Sequence, residues 1–446
     1  MSKLAIFGGK PIRTELFSAY NTIGDEEIAA VTGVLKSGVL SRYLGCWHPD
    51  FYGGPQVQAF EKLWAEKNDA KYAISVNSNT SGLITCLGAA GIQPGDEVIV
   101  SPYSMSASAI SPVFWGGIPV FADIDEHSFC LSAETIEPKI TENTKAILVV
   151  HIFGHPADMD PIMELAKKHN LIVIEDCAQA PFGKYKGRFV GTLGHMGIFS
   201  LNYHKHIHTG EGGVITTNDD KLAEKCQLIR NHAEAVADDK GVEDYTNLFG
   251  MNLRLPEIEA AIGIEQLKKI DDLLASRIQN AKFLNDKLKK FDYLDTCVPA
   301  HGNMTCSNCS CENKDCLHCY YVQPIKYFAK KNQGLSREKY LKALSAELPS
   351  SYMREEDPLI SGGYVKPLYL QQIYQRKKIN FHGRSADSYN YNKGICPVAE
   401  RMYEEELILH EFMRPSMSQS DLEQVVEAFE KVDKYMSEII EGQNRY

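Results

Sequence analysis

Apolar and polar residues alternate along the first part of the chain in blocks typical of helices and short buried strands. Residues 25–36 carry apolar side chains at helical spacing, which predicts an amphipathic helix. Several short runs are apolar and β-branched, as expected of strands covered on both faces. These runs are residues 72–76, 97–100, 119–122, 146–150 and 171–174. The pattern predicts an α/β fold with a mostly parallel central sheet flanked by helices.

The later part of the chain has fewer strand patterns and longer helical ones. A long helix is predicted over residues 257–288, because proline at position 256 is well tolerated in the first turn of a helix. Further amphipathic helices are predicted over residues 336–344 and 421–440. The long helix is expected to lead into a smaller C-terminal α+β domain.

The length of the chain supports this division into domains. A chain of 446 residues is too long for one compact core. We expect a large α/β domain over residues 1–270 and a small α+β domain over residues 271–446. The small domain would carry a cysteine-rich insertion at about residues 297–319.

Charge and hydropathy narrow the classes of function. The formal net charge of −11 argues against non-specific binding to nucleic acid or anionic membranes. No uninterrupted apolar run is long enough to span a bilayer, and the N-terminus lacks the apolar run of a signal peptide. We therefore expect a cytoplasmic protein whose 12 cysteines are mostly reduced thiols.

The first candidate for chemistry is Asp176, which follows a predicted strand. Open α/β sheets build their ligand sites beyond the carboxyl ends of such strands. A carboxylate in that position can keep a pyridinium nitrogen protonated, which makes the ring an electron sink. The alternative is that Asp176 caps a following helix.

The second candidate is Lys205, which lies between Ser200 and a glycine-rich stretch at residues 210–213. A lysine has to approach a bound aldehyde closely to react with it, and glycine lets the backbone pack beside that group. A lone lysine in a loop is usually a solvated charge. Together with Asp176, however, Lys205 forms the protein partnership that pyridoxal phosphate requires.

The third candidate is the polar turn at residues 77–82, between a predicted strand and a predicted helix. Backbone N–H groups at a helix N-terminus, with hydroxyl groups beside them, bind phosphate readily. A capped turn without a ligand has the same residues.

Five cysteines are clustered near the start of the small domain. Two Cys-x2-Cys pairs favour a small zinc site, but they lie closer together than in common zinc motifs. Reduced thiols in a loop are the alternative, and we assign no metal ligand. The cluster consists of Cys306, Cys309, Cys311, Cys316 and Cys319.

Taken together, these segments resemble the DegT/DnrJ/StrS family of pyridoxal-phosphate-dependent sugar aminotransferases, which have fold type I (the aspartate aminotransferase-like fold). The resemblance extends over most of the chain. Besides the segments around Asp176 and Lys205, it includes residues 8–11, 93–99, 151–154 and 250–267.

The resemblance implies a role for each matching position. Lys205 would be the catalytic lysine that carries the cofactor and moves a proton. Asp176, also catalytic, would pair with the pyridinium nitrogen, and Gln179 would contact the ring or its 3-hydroxyl group. The implied phosphate ligands are Asn79, Thr80, Ser200 and, from a partner subunit, Asn252. The family pattern thus implies a homodimer with shared active sites.

The chain departs from the family pattern at several positions. Asn79 stands where the family usually has glycine. Met105 stands where an aromatic residue usually stacks on the cofactor, and its polarizable sulfur can cover the ring instead. Three histidines surround the lysine and either line the substrate pocket or face other loops; these are His204, His206 and His208.

The predicted function is transfer of an amino group from glutamate or glutamine to a keto-sugar or keto-cyclitol, in amino-sugar, polysaccharide or secondary-metabolite biosynthesis. Dehydratases of the family carry histidine at the position of Lys205, so the lysine favours transamination. The alternatives are a pyridoxamine-phosphate-dependent sugar dehydratase of the same fold and a non-catalytic, cofactor-bound regulatory protein. The sequence leaves the acceptor, its possible nucleotide carrier and the amino donor open.

Overall fold

A central sheet organises the large part of the molecule. The computed structural model describes residues 3–296, 316–349, 359–376 and 389–442. Within these residues, seven strands form one sheet in the order β1-β9-β8-β5-β4-β2-β3. The strands are β1 (Tyr72–Val76), β2 (Glu97–Val100), β3 (Ile118–Phe121), β4 (Thr144–Val150), β5 (Ile172–Asp176), β8 (Met196–Ser200) and β9 (Gly213–Thr217).

The strand directions determine where the chain can build a site. Strands β3, β2, β4, β5 and β8 pair in parallel. Strand β9 runs antiparallel to both of its neighbours, β8 and β1. Strand β1 therefore runs in the same direction as β8 and β5, and the carboxyl ends of these three strands lie at one edge of the sheet.

Helices cover the sheet and connect its strands. Because the strands are largely buried on both faces, most of their side chains are apolar. The helices before the small domain are α1 (Asp25–Ser37), α2 (Pro55–Lys67), α3 (Asn79–Ala89), α4 (Ala107–Ile110), α5 (Ala133–Ile136), α6 (Met159–His169), α7 (Asp220–Arg230) and α8 (Glu257–Leu288).

A second, antiparallel sheet forms the small domain. Its order is β10-β11-β13-β12, and helices pack against it. Its strands are β10 (Leu294–Asp295), β11 (Gln323–Tyr327), β12 (Ile360–Gly362) and β13 (Leu407–His410). A short hairpin in the large part pairs β6 (Lys184–Tyr185) with β7 (Arg188–Phe189). The later helices are α9 (Arg337–Glu347), α10 (Gln372–Gln375), α11 (Pro397–Arg401), α12 (Gln419–Lys434) and α13 (Met436–Gly442).

The two cores take residues from both ends of the chain. Leu4 and Phe17, near the N-terminus, pack in the core of the second sheet. Conversely, Tyr369 and Tyr391 pack in the core of the central sheet. The boundary expected at residue 270 lies inside the continuous helix α8. This helix joins the two parts. Residues before it pack in the core of the second sheet, and residues after it pack in the core of the central sheet.

Several elements match the sequence-based expectations closely. The strands at 72–76 and 97–100 and the helix at 257–288 were predicted with the bounds the structure has. The helix predicted over 421–440 is instead divided into α12 and α13 at Tyr435. Among the described residues, no helix combines the length and the apolar character needed to cross a membrane.

Candidate active site

Three polar segments meet at the carboxyl edge of the central sheet. Asp176 is the last residue of β5, and Ser200 is the last residue of the neighbouring strand β8. Helix α3 begins at Asn79, three residues after β1 ends. Open α/β sheets bind ligands at this kind of edge.

Hydrogen bonds hold the Asp176 carboxylate in a buried position. The Ser108 hydroxyl donates to Oδ2 at 2.9 Å, and the Ala178 N–H donates to Oδ1 at 3.1 Å. The Asn79 side-chain amide also donates to Oδ1, at 3.4 Å. Burial raises the pKa of Asp176, and the hydrogen bonds from Ala178 and Ser108 act in the opposite direction. The next element after Asp176 is the strand β6, so the interpretation of Asp176 as a helix cap is wrong.

The Lys205 amine lies within the electrostatic reach of this carboxylate. Lys205 is partly buried in the turn that follows β8, and its N–H donates to the Asn202 carbonyl at 2.9 Å. Burial lowers the pKa of Lys205 to about 8, and the charge of Asp176 opposes part of this shift. A lysine with a lowered pKa carries more of the neutral, nucleophilic amine near neutral pH.

The first turn of α3 is capped and lies at the same edge of the sheet. The Ser78 hydroxyl accepts the Ser81 N–H at 3.1 Å, and the partly buried Asn79 and Thr80 open the helix. The positive end of the helix dipole favours a phosphate there. A β-carbon at position 213 would meet the backbone of Ser78 at 2.8 Å, so glycine is required where β9 passes this turn. The Ser78 cap does not conflict with a phosphate-binding role of this turn, which stays a prediction.

Gln179 is fixed from two sides. Its Oε1 accepts the Phe153 N–H at 2.6 Å, and its Nε2 donates to the Tyr364 hydroxyl at 2.7 Å. Tyr364 comes from the loop after β12, and its own N–H donates to the Tyr103 hydroxyl at 3.0 Å. A side chain from the small domain thus contacts a residue predicted to bind the cofactor.

Comparison with known proteins identifies the family. The model of the DegT/DnrJ/EryC1/StrS aminotransferase family matches residues 21–335, which is well over half of the chain. The chain belongs to this aminotransferase family. The family and the aminotransferase activity predicted from the sequence are confirmed.

Individual relatives agree with this assignment. The chain is 32% identical over 418 residues to the spore coat polysaccharide biosynthesis protein SpsC of Bacillus subtilis, which covers 92% of this chain and 95% of the relative. It is 37% identical over 313 residues to the GDP-perosamine synthase of Escherichia coli O157:H7, covering 70% of this chain and 81% of that enzyme.

A solved structure confirms the fold. The aminotransferase from Psychrobacter cryohalolentis superposes with a TM-score of 0.79 at 31% identity, covering 93% of this chain and 98% of that one. The predicted fold type I architecture, with its mostly parallel central sheet, is confirmed.

Two predicted cofactor contacts of this family member are open to solvent in the single chain. Met105 is 60% exposed, and its sulfur accepts a contact from the Ser106 hydroxyl at 3.2 Å. Asn252 is exposed, and its backbone forms an isolated β-bridge with Asn231. Ser200, in contrast, is buried, and its hydroxyl accepts the Asn202 N–H at 3.3 Å. The roles of Met105, Asn252 and Ser200 stay predictions.

The histidines beside Lys205 differ from one another. His206 is buried, and its Nε2 is 2.9 Å from the Cys319 carbonyl oxygen, so it faces the end of the cysteine-rich segment. Burial and the charge of Arg277 lower the pKa of His206 well below its usual range, which keeps the ring neutral. His204 instead packs against the Tyr203 ring.

The cysteine cluster lies partly within the described residues. Cys306, Cys309 and Cys311 lie outside them. Cys319 is buried, its thiol donates to the Pro181 carbonyl at 3.3 Å, and burial raises its pKa. The Cys316 sulfur accepts the Lys186 N–H at 3.4 Å. A zinc site and reduced loop thiols both stay predictions for this cluster.

A buried group beneath the site has ligand-like atoms but a structural explanation. The donor atoms of His151, Glu175 and Cys177 lie within 4.8 Å of one another. The Glu175 carboxylate is already satisfied by His151 Nε2 at 2.9 Å and by three backbone N–H groups. Since Glu175 precedes Asp176 in β5, this network fixes the strand that presents Asp176.

The sequence-based interpretation missed three residues at the site. Ser108 was not singled out in the sequence; in the structure it lies in α4, and its hydroxyl is 3.0 Å from that of Ser104. Tyr321, whose ring centroid is 4.3 Å from Lys205 Nζ, and Tyr364 carried no signal, because they reach the site from segments of the second domain.

Proposed function

We propose that this chain is a pyridoxal-phosphate-dependent aminotransferase that moves an amino group from glutamate or glutamine to a keto-sugar. The observation that carries the proposal is the pair of Lys205 and Asp176 at the carboxyl edge of the sheet. An amine with a pKa lowered to about 8 lies within the electrostatic reach of a carboxylate that three hydrogen bonds hold in place.

The residues present fit this cofactor. The first turn of α3, with Asn79 and Thr80, would hold the phosphate together with Ser200. Gly213 leaves the space that a β-carbon would fill beside that turn. Asp176 would pair with the ring nitrogen, and Gln179 would contact the ring or its 3-hydroxyl group. When bound, the cofactor supplies an electron sink for the substrate carbon.

The protein groups have distinct tasks in the reaction. Lys205, once its amine is free, would carry a proton from the donor carbon to the cofactor in the first half-reaction and from the cofactor to the acceptor carbon in the second, which suits a base whose pKa is near the working pH. Asp176 would pair with the ring nitrogen, and its hydrogen bonds from Ser108 and Ala178 favour the ionised carboxylate against the effect of burial. Gln179, held by Phe153 and Tyr364, would orient the ring.

The homodimer with shared sites is part of this proposal. Exposed apolar side chains lie close to Asn252 along the chain and in space. Phe249 is 72% exposed three residues before Asn252, and Leu44 and Trp47 are 40% and 46% exposed. The Asn231 amide, bridged to Asn252, donates to the Leu44 carbonyl at 2.9 Å. A second copy covering this patch would bring its Asn252 to the phosphate.

The names of relatives support a sugar acceptor. GDP-perosamine synthase is named for a nucleotide-linked amino sugar, and SpsC is named for polysaccharide biosynthesis. Both names support a sugar as the acceptor. The acceptor panel should therefore include nucleotide-linked keto-sugars, free keto-sugars and keto-cyclitols.

An amino-transfer assay tests the function. The purified protein with pyridoxal phosphate is mixed with glutamate or glutamine and each acceptor, and the aminated product is measured by mass spectrometry. We expect one acceptor class to be aminated, and Lys205→Met to abolish the product. Loss of a hydroxyl group from the sugar without gain of nitrogen would instead identify the dehydratase. No product with any pair would support the non-catalytic alternative.

Mixing two inactive variants tests the shared site. Lys205→Met and Asn252→Ala homodimers are each expected to be impaired, the second through weak phosphate binding. Subunit exchange would create dimers with one intact site, so activity should return on mixing. Additive, unrestored activity would contradict a site built from two subunits.

A further inference from the structure

The end of the cysteine-rich segment, residues 316–321, lies against the active-site elements. The Cys319 N–H donates to the Gly154 carbonyl at 2.8 Å, and the Tyr321 N–H donates to the Phe153 carbonyl at 2.9 Å. Leu317 forms a β-bridge with Lys184 in the β6–β7 hairpin. These backbone contacts fix the segment to the loops around the sheet edge.

A buried arginine on α8 completes this anchoring. The Arg277 guanidinium donates to the carbonyls of Tyr320 at 2.9 Å and Tyr321 at 3.3 Å. Tyr320 has a φ of +49°, in the left-handed region that bulky residues rarely adopt. Its ring stacks on His318 with centroids 3.9 Å apart. The strained turn at Tyr320 persists because these contacts hold it, and it determines the direction of Tyr321.

The turn places the Tyr321 ring against the candidate catalytic amine. The Lys205 Nζ lies 4.3 Å from the centroid of this ring. The negative face of an aromatic ring attracts a cation at this distance. We propose that Tyr321 is a positioning residue whose ring face holds the Lys205 amine whenever that amine is not bonded to cofactor.

The groups around Lys205 determine how much the contact with the Tyr321 ring affects the charge of the amine. Asp176 attracts the ammonium form from the sheet side. The adjacent His206 is neutral, and Arg277 is directed toward the carbonyls of Tyr320 and Tyr321. Asp176 and the Tyr321 ring therefore both favour the charged amine against the cost of its burial. The ring gives the released amine a fixed resting place close to where it must act, a consequence that rests on the proposed function.

The pKa of Lys205 in the cofactor-free protein tests the proposal. Competitive labelling with acetic anhydride at a series of pH values, followed by peptide mass spectrometry, gives the pKa of this one amine. We expect Tyr321→Leu to lower it by about 0.4 to 1.5 units, the equivalent of a cation–π contact. Tyr321→Phe keeps the ring and should match the original protein. An unchanged or raised value in Tyr321→Leu, or a lowered value in Tyr321→Phe, would overturn the proposal.

A shape-conserving series guards against a folding defect in Tyr321→Leu. Phenylalanines with increasing ring fluorination at position 321 weaken the negative ring face while keeping its outline. The pKa of Lys205 should fall in step with fluorination, and a flat series would reject the ring-face contact. The measurement needs neither cofactor nor substrate. The pKa measurement can therefore contradict the role of Tyr321 while the amino-transfer assay supports the proposed function. The opposite outcome is also possible, so the two proposals are tested separately.

Discussion

The candidate site is built from two regions with different origins. The sheet edge supplies Asp176 at the end of β5, Lys205 in the turn that follows β8, and the first turn of α3, which follows β1. The second region, called the wall here, consists of Tyr321 and Tyr364. They come from segments beside the second sheet and contact Lys205 and Gln179 over large separations in sequence. The sheet edge carries the residues predicted to react or to bind the cofactor. The wall residues contact Lys205 and Gln179 and position their side chains.

This difference predicts a hierarchy of effects. Substitutions at the sheet edge should reduce cofactor binding or the chemical step strongly. Substitutions in the wall should change the position or the pKa of an edge residue and cost less. Each of the following variants tests one side of this comparison.

The largest effect is expected for Asp176→Asn. The amide keeps the size of the side chain but removes the charge opposite the ring nitrogen. We expect kcat to fall roughly 100- to 1000-fold, the loss typical of a preorganised electrostatic group. Steady-state kinetics at saturating cofactor measure this. Asp160→Asn is the matched control, because that carboxylate pairs with Lys186 and Arg188 at the surface. Equal losses in both variants would contradict a specific role for Asp176.

Gly213→Ala tests the close approach of β9 to the first turn of α3. The new β-carbon would meet the Ser78 backbone at 2.8 Å and has to displace the turn. Overpacking of this kind costs about 1 to 3 kcal/mol, which corresponds to roughly a 5- to 150-fold weaker cofactor affinity if the phosphate binds there. Gly33→Ala in α1 is the control, since a β-carbon there meets nothing within 4 Å. An unchanged cofactor Kd in a folded Gly213→Ala protein would place the phosphate elsewhere.

Ser108→Ala shifts the pH dependence. Its hydroxyl donates to the Asp176 carboxylate, so its loss raises the pKa of Asp176 further. On acidification, Asp176 in the variant therefore becomes protonated at a higher pH than in the original protein. The acid limb of kcat/KM should move up by about 1 to 2 pH units. Ser106→Ala, whose hydroxyl contacts Met105, should leave the limb in place. A shift toward lower pH would have the wrong sign for this account.

The smallest effect is expected in the wall, for Tyr364→Phe. This variant removes the hydroxyl that accepts from Gln179 but keeps the ring packed against Phe153. One hydrogen bond contributes about 0.5 to 1.5 kcal/mol, so cofactor affinity should weaken by about 2- to 13-fold. Tyr245→Phe, which loses a surface hydrogen bond to Asp238, should bind cofactor normally. A loss as large as that of Asp176→Asn would remove the distinction between edge and wall.

The same division explains what could be predicted from sequence. Asp176 was found because it follows a strand that the local pattern of apolar residues predicts. Lys205 was found through Ser200 before it, the glycine-rich stretch after it and its partnership with Asp176, whereas strand β8 was not predicted. Helix α8 was predicted with its observed bounds because Pro256 and the apolar spacing define it locally. The contacts of Tyr321 and Tyr364 depend on how two sheets pack against each other, which local patterns do not determine. The break between α12 and α13 at Tyr435 involves neither proline nor glycine, so it had no sequence signal either.

The central claim is that the Lys205 amine reaches the cofactor while Asp176 supports the ring. Borohydride reduction of the protein loaded with pyridoxal phosphate, followed by peptide mapping, tests this most directly. The account predicts a stable cofactor adduct on Lys205, absent after Lys205→Met and retained after Tyr321→Phe. An adduct confined to another lysine, or no adduct on a protein that binds the cofactor, would contradict it.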